Sequence, residues 1–313
     1  MSLAATPVQS SSDDFAGLAQ GPANAPWRYV LSAALIIGGG LAASFALFYG
    51  ATRFGLTDVL ASLTDPDALA KRPLGDRLFA FLALVWGVIV FLPLARVVLP
   101  FVHRRSWRSF VTVAPRFRWA LAAKSFAVVL ALLGVSLVLQ LLIAPASVRY
   151  TPPDTAFFAL ALVGVLVLPF QALTEEVLFR GYLTQLTGRL TRSRLLRVAV
   201  PATLFTLAHT GNPEMTHDAI WAVATYALAG VYLGILVART NGLEASFGLH
   251  FASNLFVLLI ASPSVSVFPA RGLFTDIDSD FRLSFIASAL VFALHYTFVC
   301  GLPVQATGLH SRD

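Results

Sequence analysis

Two acids and a base stand together in TEEVLFRGY (174–182), directly after the apolar run TAFFALALVGVLVLPFQAL (155–173). Glu175, Glu176 and Arg180 are thus ionisable groups in a stretch whose composition suits lipid, where an unpaired charge costs several kcal/mol. Glu176 and Arg180 stand four apart with the acid first, so on a helix they share a face and can neutralise one another. Glu175 points about 100° away from Glu176 on the same helix. It is left as the free carboxylate, a group able to act as a base on water. The competing reading is a structural ion network of all three between helices.

Other polar residues interrupt apolar runs further on. His209 closes LFTLAH (204–209), one turn after Phe205, and LHFASN (249–254) carries His250 and Asn254 on one helix face. A single histidine in a span usually makes a helix-to-helix hydrogen bond. Three helices bringing polar groups to one depth need another explanation. Counted from the same side of the membrane at about 1.5 Å per residue, Glu175 lies roughly 20 Å in, His209 and Asn254 roughly 18 Å, and His250 roughly 12 Å. The four groups share one layer in the upper-middle of a bilayer.

A carboxylate and a histidine can hold and deprotonate a water molecule. A second histidine and an amide can donate to an oxyanion as a carbonyl is attacked. These are the parts for peptide-bond hydrolysis. A rival assembly makes Glu175, His209 and His250 the ligands of a catalytic zinc; the H-E-x-x-H spacing is absent, so that set would draw on three separate helices. The one cysteine, Cys300, lies near the C-terminal end, which excludes an intramolecular disulfide framework and a clustered-thiolate metal site.

The elements that must position these groups are membrane helices. Of 313 residues 57% are hydrophobic and 12% charged, half the charge of an ordinary soluble domain. The runs lack the alternation of a membrane barrel. The expectation is an all-α, polytopic bundle of about eight transmembrane helices, near 28–50, 78–102, 119–144, 155–186, 197–211, 219–239, 243–261 and 283–303. The site would be buried among the fourth, fifth and seventh. Pro169 is expected to kink the fourth, and Pro201 to occupy the first turn of the fifth. Residues 1–26 read as a disordered tail and not a cleavable signal peptide, and 27–313 as a single membrane domain whose first span is an uncleaved anchor.

The +6 net charge does not point to nucleic acid, because the basic residues cluster in short loops beside spans. Loop 103–118 carries five arginines and no acid, and 187–197 four arginines and no acid. The positive-inside rule places both in the cytoplasm, with both termini, in a plasma membrane of bacterial type. The loop 51–77, with Arg53, Lys71, Arg72 and Arg77, argues the other way.

EEVLFR (175–180), FTLAH (205–209) and HFASN (250–254), in that order on three helices, resemble the EExxxR, FxxxH and HxxxN pattern of the CAAX prenyl protease 2-like intramembrane endopeptidases, the CPBP or Abi family. The resemblance covers about 155–260. It implies that Glu175 and His209 activate water, that His250 and Asn254 form the oxyanion site, and that Glu176, Arg180 and Phe205 support the architecture. It also implies a membrane-associated peptide or protein substrate, of which prenylated CAAX peptides are the namesake class. The alternatives are a proton-coupled transporter, disfavoured because the polar groups show no repeated halves, and a non-catalytic relative of immunity type. Lys124 is expected to snorkel to the interface, His295 to pack between helices, and Glu214 and His217 to sit in a polar loop. The glycines at 38–40 should allow close helix packing.

Overall fold

The computed structural model describes residues 15–19, 24–62, 68–69, 71–268, 272–277 and 280–301. The first helix, α1 (Pro26–Arg53), starts on a proline, whose fixed φ suits a first turn. After the short α2 (Thr57–Ala61), α3 (Leu74–Ile89) and α4 (Phe91–His103) form one long crossing. Then come α5 (Trp119–Ile143) and α6 (Thr155–Glu175). A wide π-helical stretch, Glu176–Leu183, runs on into α7 (Thr184–Leu190). The rest of the chain forms α8 (Arg194–Ala208), the single turn α9 (Glu214–His217), α10 (Ala219–Thr240), α11 (Glu244–Leu259) and α12 (Phe281–Cys300).

Local chemistry sets several of these boundaries. Asp154, Ser193, Asp218 and Asp280 each accept a backbone N–H at the start of α6, α8, α10 and α12, so orphan donors at these helix ends are met by side-chain oxygens. Asn241 ends α10 in the left-handed conformation, at φ 55°.

The protein is a polytopic helical membrane bundle. Among the described residues, six crossings are long and apolar enough to span: Pro26–Arg53, Leu74–His103, Trp119–Ile143, Thr155–Leu190, Ala219–Thr240 and Phe281–Cys300. Their outer faces carry exposed apolar side chains such as Val30, Phe45, Phe101 and Ile143, which only lipid can cover without cost. The expected fifth and seventh spans are α8 and α11, at 15 and 16 residues. At 1.5 Å per residue each covers about 24 Å or less of a roughly 30 Å hydrocarbon layer.

Small residues let these shorter helices approach the others closely. Gly248 of α11 lies against the backbone of Ala122 in α5, and Gly230 of α10 against Ala202 of α8. Gly40 of α1 meets the Phe91 ring of α4 in the same way, the packing role expected of the glycine run.

Pro169 lies inside α6, which runs on through it, and the wide π-helical turns come later, at Glu176–Leu183. Two expectations are corrected. With Ser193 as cap, α8 begins at Arg194, so Pro201 lies inside the helix and not in its first turn. A small sheet of order β1-β3-β2 is present, from β1 (Val148–Tyr150), β2 (Ala261–Pro263) and β3 (Phe274–Asp276). It pairs backbone from connecting segments, where no apolar alternation announces it. Of the expected N-terminal tail, residues 1–14 and 20–23 lie outside the described residues; Phe15 is buried in a core cluster with Tyr29, Leu99 and Val237, and its N–H donates to Asn241 Oδ1.

The segment 104–118 is held by more than its ends. Val113 N–H donates to the Asn241 carbonyl and Leu243 N–H to the Val111 carbonyl. Arg118 pairs with Glu244 at 2.7 Å, and Gln185 Nε2 donates to the Ser109 carbonyl at 2.6 Å. A Cβ on Gly181 would lie 2.5 Å from the Phe110 carbonyl oxygen. This loop therefore sits directly under the π-helical stretch and the first turn of α11.

Candidate active site

The π-helical stretch carries Glu176 and Arg180, both fully buried, with Arg180 Nη1 donating to Glu176 Oε1 at 3.2 Å. The four-residue spacing read from the sequence thus becomes an ion pair, although the turn is wider than an α turn. Burying either charge alone would be costly, and the pair removes most of that cost. Arg180 also lies over the Phe205 ring, 4.1 Å from guanidinium carbon to centroid, a cation–π contact in a dry setting.

Glu176 has a second duty. Its Oε1 accepts from His250 Nδ1 at 2.8 Å, so the α11 histidine is oriented by the same carboxylate that neutralises Arg180. The opposite ring nitrogen, His250 Nε2, faces Glu175 Oε2 at 3.5 Å. His209, just past the end of α8, is oriented in parallel fashion: its Nδ1–H donates to the Phe205 carbonyl at 2.7 Å. A carbonyl only accepts, so the neutral ring turns the Nε2 lone pair outward. That Nε2 lies 3.8 Å from Glu175 Oε2.

Glu175 is buried, and its two oxygens differ. Oε1 accepts from Gln171 Nε2 at 2.6 Å. Oε2, the oxygen facing both histidines, has no hydrogen-bond partner among the described residues. Separations of 3.5 and 3.8 Å are too long for good direct hydrogen bonds and suit a bridging water.

Asn254 does not touch Glu175. Its Nδ2 donates to Gln171 Oε1 at 2.8 Å, so one glutamine amide links the carboxylate of α6 to the amide of α11. The structure therefore brings Glu175, His209 and His250 together at first hand and Asn254 at one remove. Phe205 sits among Arg180, His209 and His250, with its ring 4.2 Å from that of His209.

Two positioning residues had no sequence signal. Gln171 lies one turn before Glu175 and reads as an ordinary polar residue in a span. Tyr226 of α10 stacks on the His209 ring at 4.6 Å and 29°, and its hydroxyl accepts from Asn212 Nδ2 at 2.7 Å. The outlying candidates resolve simply. His295 bridges Ser125 and the Tyr232 hydroxyl, the packing role expected of it, and Lys124 is exposed.

These groups border a cavity of about 440 Å³. Its lining combines Gln171, Glu175, His209, His250 and Asn254 with the apolar side chains of Leu84, Val85, Val88, Phe91, Leu178 and Phe179. As for a zinc set, among the described residues no group of three or more His, Cys, Asp or Glu side chains is arranged to hold a metal ion.

Comparison with known proteins agrees with the motif reading. Residues 155–256 match the family model described as Type II CAAX prenyl endopeptidase Rce1-like. The chain is also 26% identical over 250 residues to the "Uncharacterized protein YyaK" of Bacillus subtilis (strain 168), covering 78% of this chain and 81% of that protein. No solved structure matches. The family matched is one of endopeptidases, which supports a protease, and the six apolar crossings make the protein an integral membrane one.

Proposed function

We propose that this protein is an intramembrane endopeptidase in which Glu175 and His209 activate a water molecule against a peptide carbonyl. The observation that carries the reading is the unpartnered Glu175 Oε2, set 3.8 Å from His209 Nε2 and 3.5 Å from His250 Nε2. A water between them can donate one proton to Glu175 and the other to His209, leaving a lone pair for the substrate carbon. As the C–O bond forms, Glu175 takes the proton. As the C–N bond breaks, that proton passes to the leaving amine.

The oxyanion would be met by Asn254 and His250. An amide NH2 has two donor hydrogens; Gln171 occupies one of Asn254 and the other is available. For His250 to donate, Nε2 must carry a proton as well as Nδ1. Glu176 Oε1 lies 2.8 Å from Nδ1 and Glu175 Oε2 3.5 Å from Nε2.

The substrate class is a membrane-associated peptide carrying an apolar group beside the scissile bond. The apolar side chains of Leu84, Val88, Phe91 and Leu178 in the cavity lining suit a prenyl chain of the CAAX type. The arginine-rich loops 103–118 and 187–197 support a cytoplasmic position for those loops and for both termini. A transporter reading is not favoured, because Glu175, Glu176, Arg180, His209 and His250 form one connected cluster.

The test is cleavage of an internally quenched prenylated CAAX-type peptide by purified protein in lipid nanodiscs. Wild type should cleave it and Glu175→Gln should not. Equal rates from the two proteins would remove Glu175 from the mechanism.

A further inference from the structure

A pocket of about 330 Å³ shares no lining residue with the catalytic cavity. Its apolar lining comes from Trp107, Val111, Phe117, Trp119, Leu173 and Phe247. Three of the rings gather closely: Phe117 lies 4.6 Å from Trp119 and 6.1 Å from Phe247, and Trp119 lies 6.5 Å from Phe247. Trp119 is the first residue of the span Trp119–Ile143 and is 68% exposed. A tryptophan where a span begins sits at the level of the lipid headgroups. The pocket therefore lies where headgroups meet hydrocarbon, and not in the middle of the bilayer.

Its lining also carries one charge, that of Arg108. Segment 103–118 holds five arginines and no acid, and they are not equally engaged. Arg118 is neutralised by Glu244. Arg105 donates to Asn24 Oδ1 at 2.7 Å and to the Ser109 carbonyl. Arg108 is exposed, and its Nη1 donates to the Ala114 carbonyl at 3.2 Å. Among the described residues no carboxylate pairs with it. A guanidinium has five donor hydrogens in a planar fork, so most of Arg108 remains to be satisfied. That fork matches the oxygens of a phosphate.

An aromatic pocket at headgroup level with an unneutralised guanidinium in its lining fits an amphiphile whose anion adjoins its hydrocarbon. A zwitterionic phospholipid offers a phosphate but adds an ammonium, which a segment without acids repels. An anionic phospholipid offers the phosphate alone. We propose that this pocket binds one anionic phospholipid, with its phosphate on Arg108 and the upper part of an acyl chain among Phe117, Trp119 and Phe247. Once filled, the pocket would tie segment 104–118 to Leu173 of α6 and Phe247 of α11, which closely precede Glu175 and His250 in the chain. The lipid would thus add to the bracing that this segment already gives the π-helical stretch and α11.

The test places the full chain in phosphatidylcholine nanodiscs at physiological ionic strength. A trace of phosphatidylglycerol or of phosphatidylcholine is added, each with a photoreactive diazirine in its acyl chain near the headgroup. Crosslinked residues are mapped by mass spectrometry, and labelling of the pocket is taken relative to labelling of the exposed face of α1, which also reports an intact fold. In wild type, phosphatidylglycerol should label the pocket about tenfold more than phosphatidylcholine, the scale of one hydrogen-bonded charge pair. Arg108→Gln should bring the two lipids to near parity, and Arg108→Glu should put phosphatidylcholine ahead. Arg192→Gln makes the same charge change in the other arginine-rich loop, outside the lining, and should leave the preference unchanged because salt screens a distant exposed charge. Soluble glycerol phosphate, the headgroup without its chains, should not compete. Equal labelling of wild type by the two lipids, an equal fall for Arg108→Gln and Arg192→Gln, or displacement by glycerol phosphate would each overturn the site.

Discussion

Gln171 and Asn254 are joined across α6 and α11 by a 2.8 Å hydrogen bond, and the other end of the same Gln171 amide holds Glu175 at 2.6 Å. A single side chain thus sets the attitude of both the proposed base and the proposed oxyanion donor. Gln171→Leu should lower kcat by about 10- to 100-fold with little change in KM, as expected when reacting groups drift by a fraction of an ångström. Adding Asn254→Ala to it should cost less than the product of the two single effects, because the residues act through one connection. Fully multiplicative losses would show that the two are independent.

Glu175→Gln should leave yield and unfolding temperature unchanged, since Gln171 can still bond to the amide and no buried cation loses its partner. Its kcat should fall by about 10²- to 10⁴-fold, the usual reach of general-base catalysis. Steady-state cleavage beside a thermal melt separates the two quantities.

Glu176→Gln should behave in the opposite way. It strips the carboxylate from a fully buried Arg180 and from His250 Nδ1, so about 3–5 kcal/mol of stability should go with it. Lower folded yield and a lower melting temperature are expected along with lost activity. Arg180→Met in the same chain should restore part of the yield but none of the activity. Full folding with no activity would instead make Glu176 the base.

Incubation with a strong metal chelator should leave cleavage unchanged. If activity were lost on chelation and regained with zinc, Glu175, His209 and His250 would have to be reassigned as ligands.

Some of the site could be read directly from the sequence because its spacing matches a helix turn. Glu176 and Arg180 pair within one stretch, and the shared depth of Glu175, His209 and His250 follows from counting residues along helices. Gln171 was invisible for the opposite reason: its partner Asn254 is 83 residues away, and an amide in a span carries no charge that must be explained. The wide turn at Glu176–Leu183 leaves the apolar pattern intact and so leaves no trace in it. Glu214 looked like a loop residue because nothing in TGNPEMTHDA shows that the Val267 N–H will fold back onto its carboxyl group. The eight helical segments were legible from hydropathy, but the shortness of α8 and α11 depends on caps and on the Asn241 turn, which hydropathy does not weigh.

The arginine-rich segment 104–118 entered as a signal of orientation, and it turns out to brace the machinery. Its backbone meets Gly181 and Gln185 on one side and Asn241, Leu243 and Glu244 on the other. Assembly of the active site is thereby tied to biogenesis. The two helices that supply Glu175 and His250 can be clamped at their base only after that segment has been delivered to its own side of the membrane. A chain in which that segment alone was left on the opposite side would lose these contacts as well as its topology.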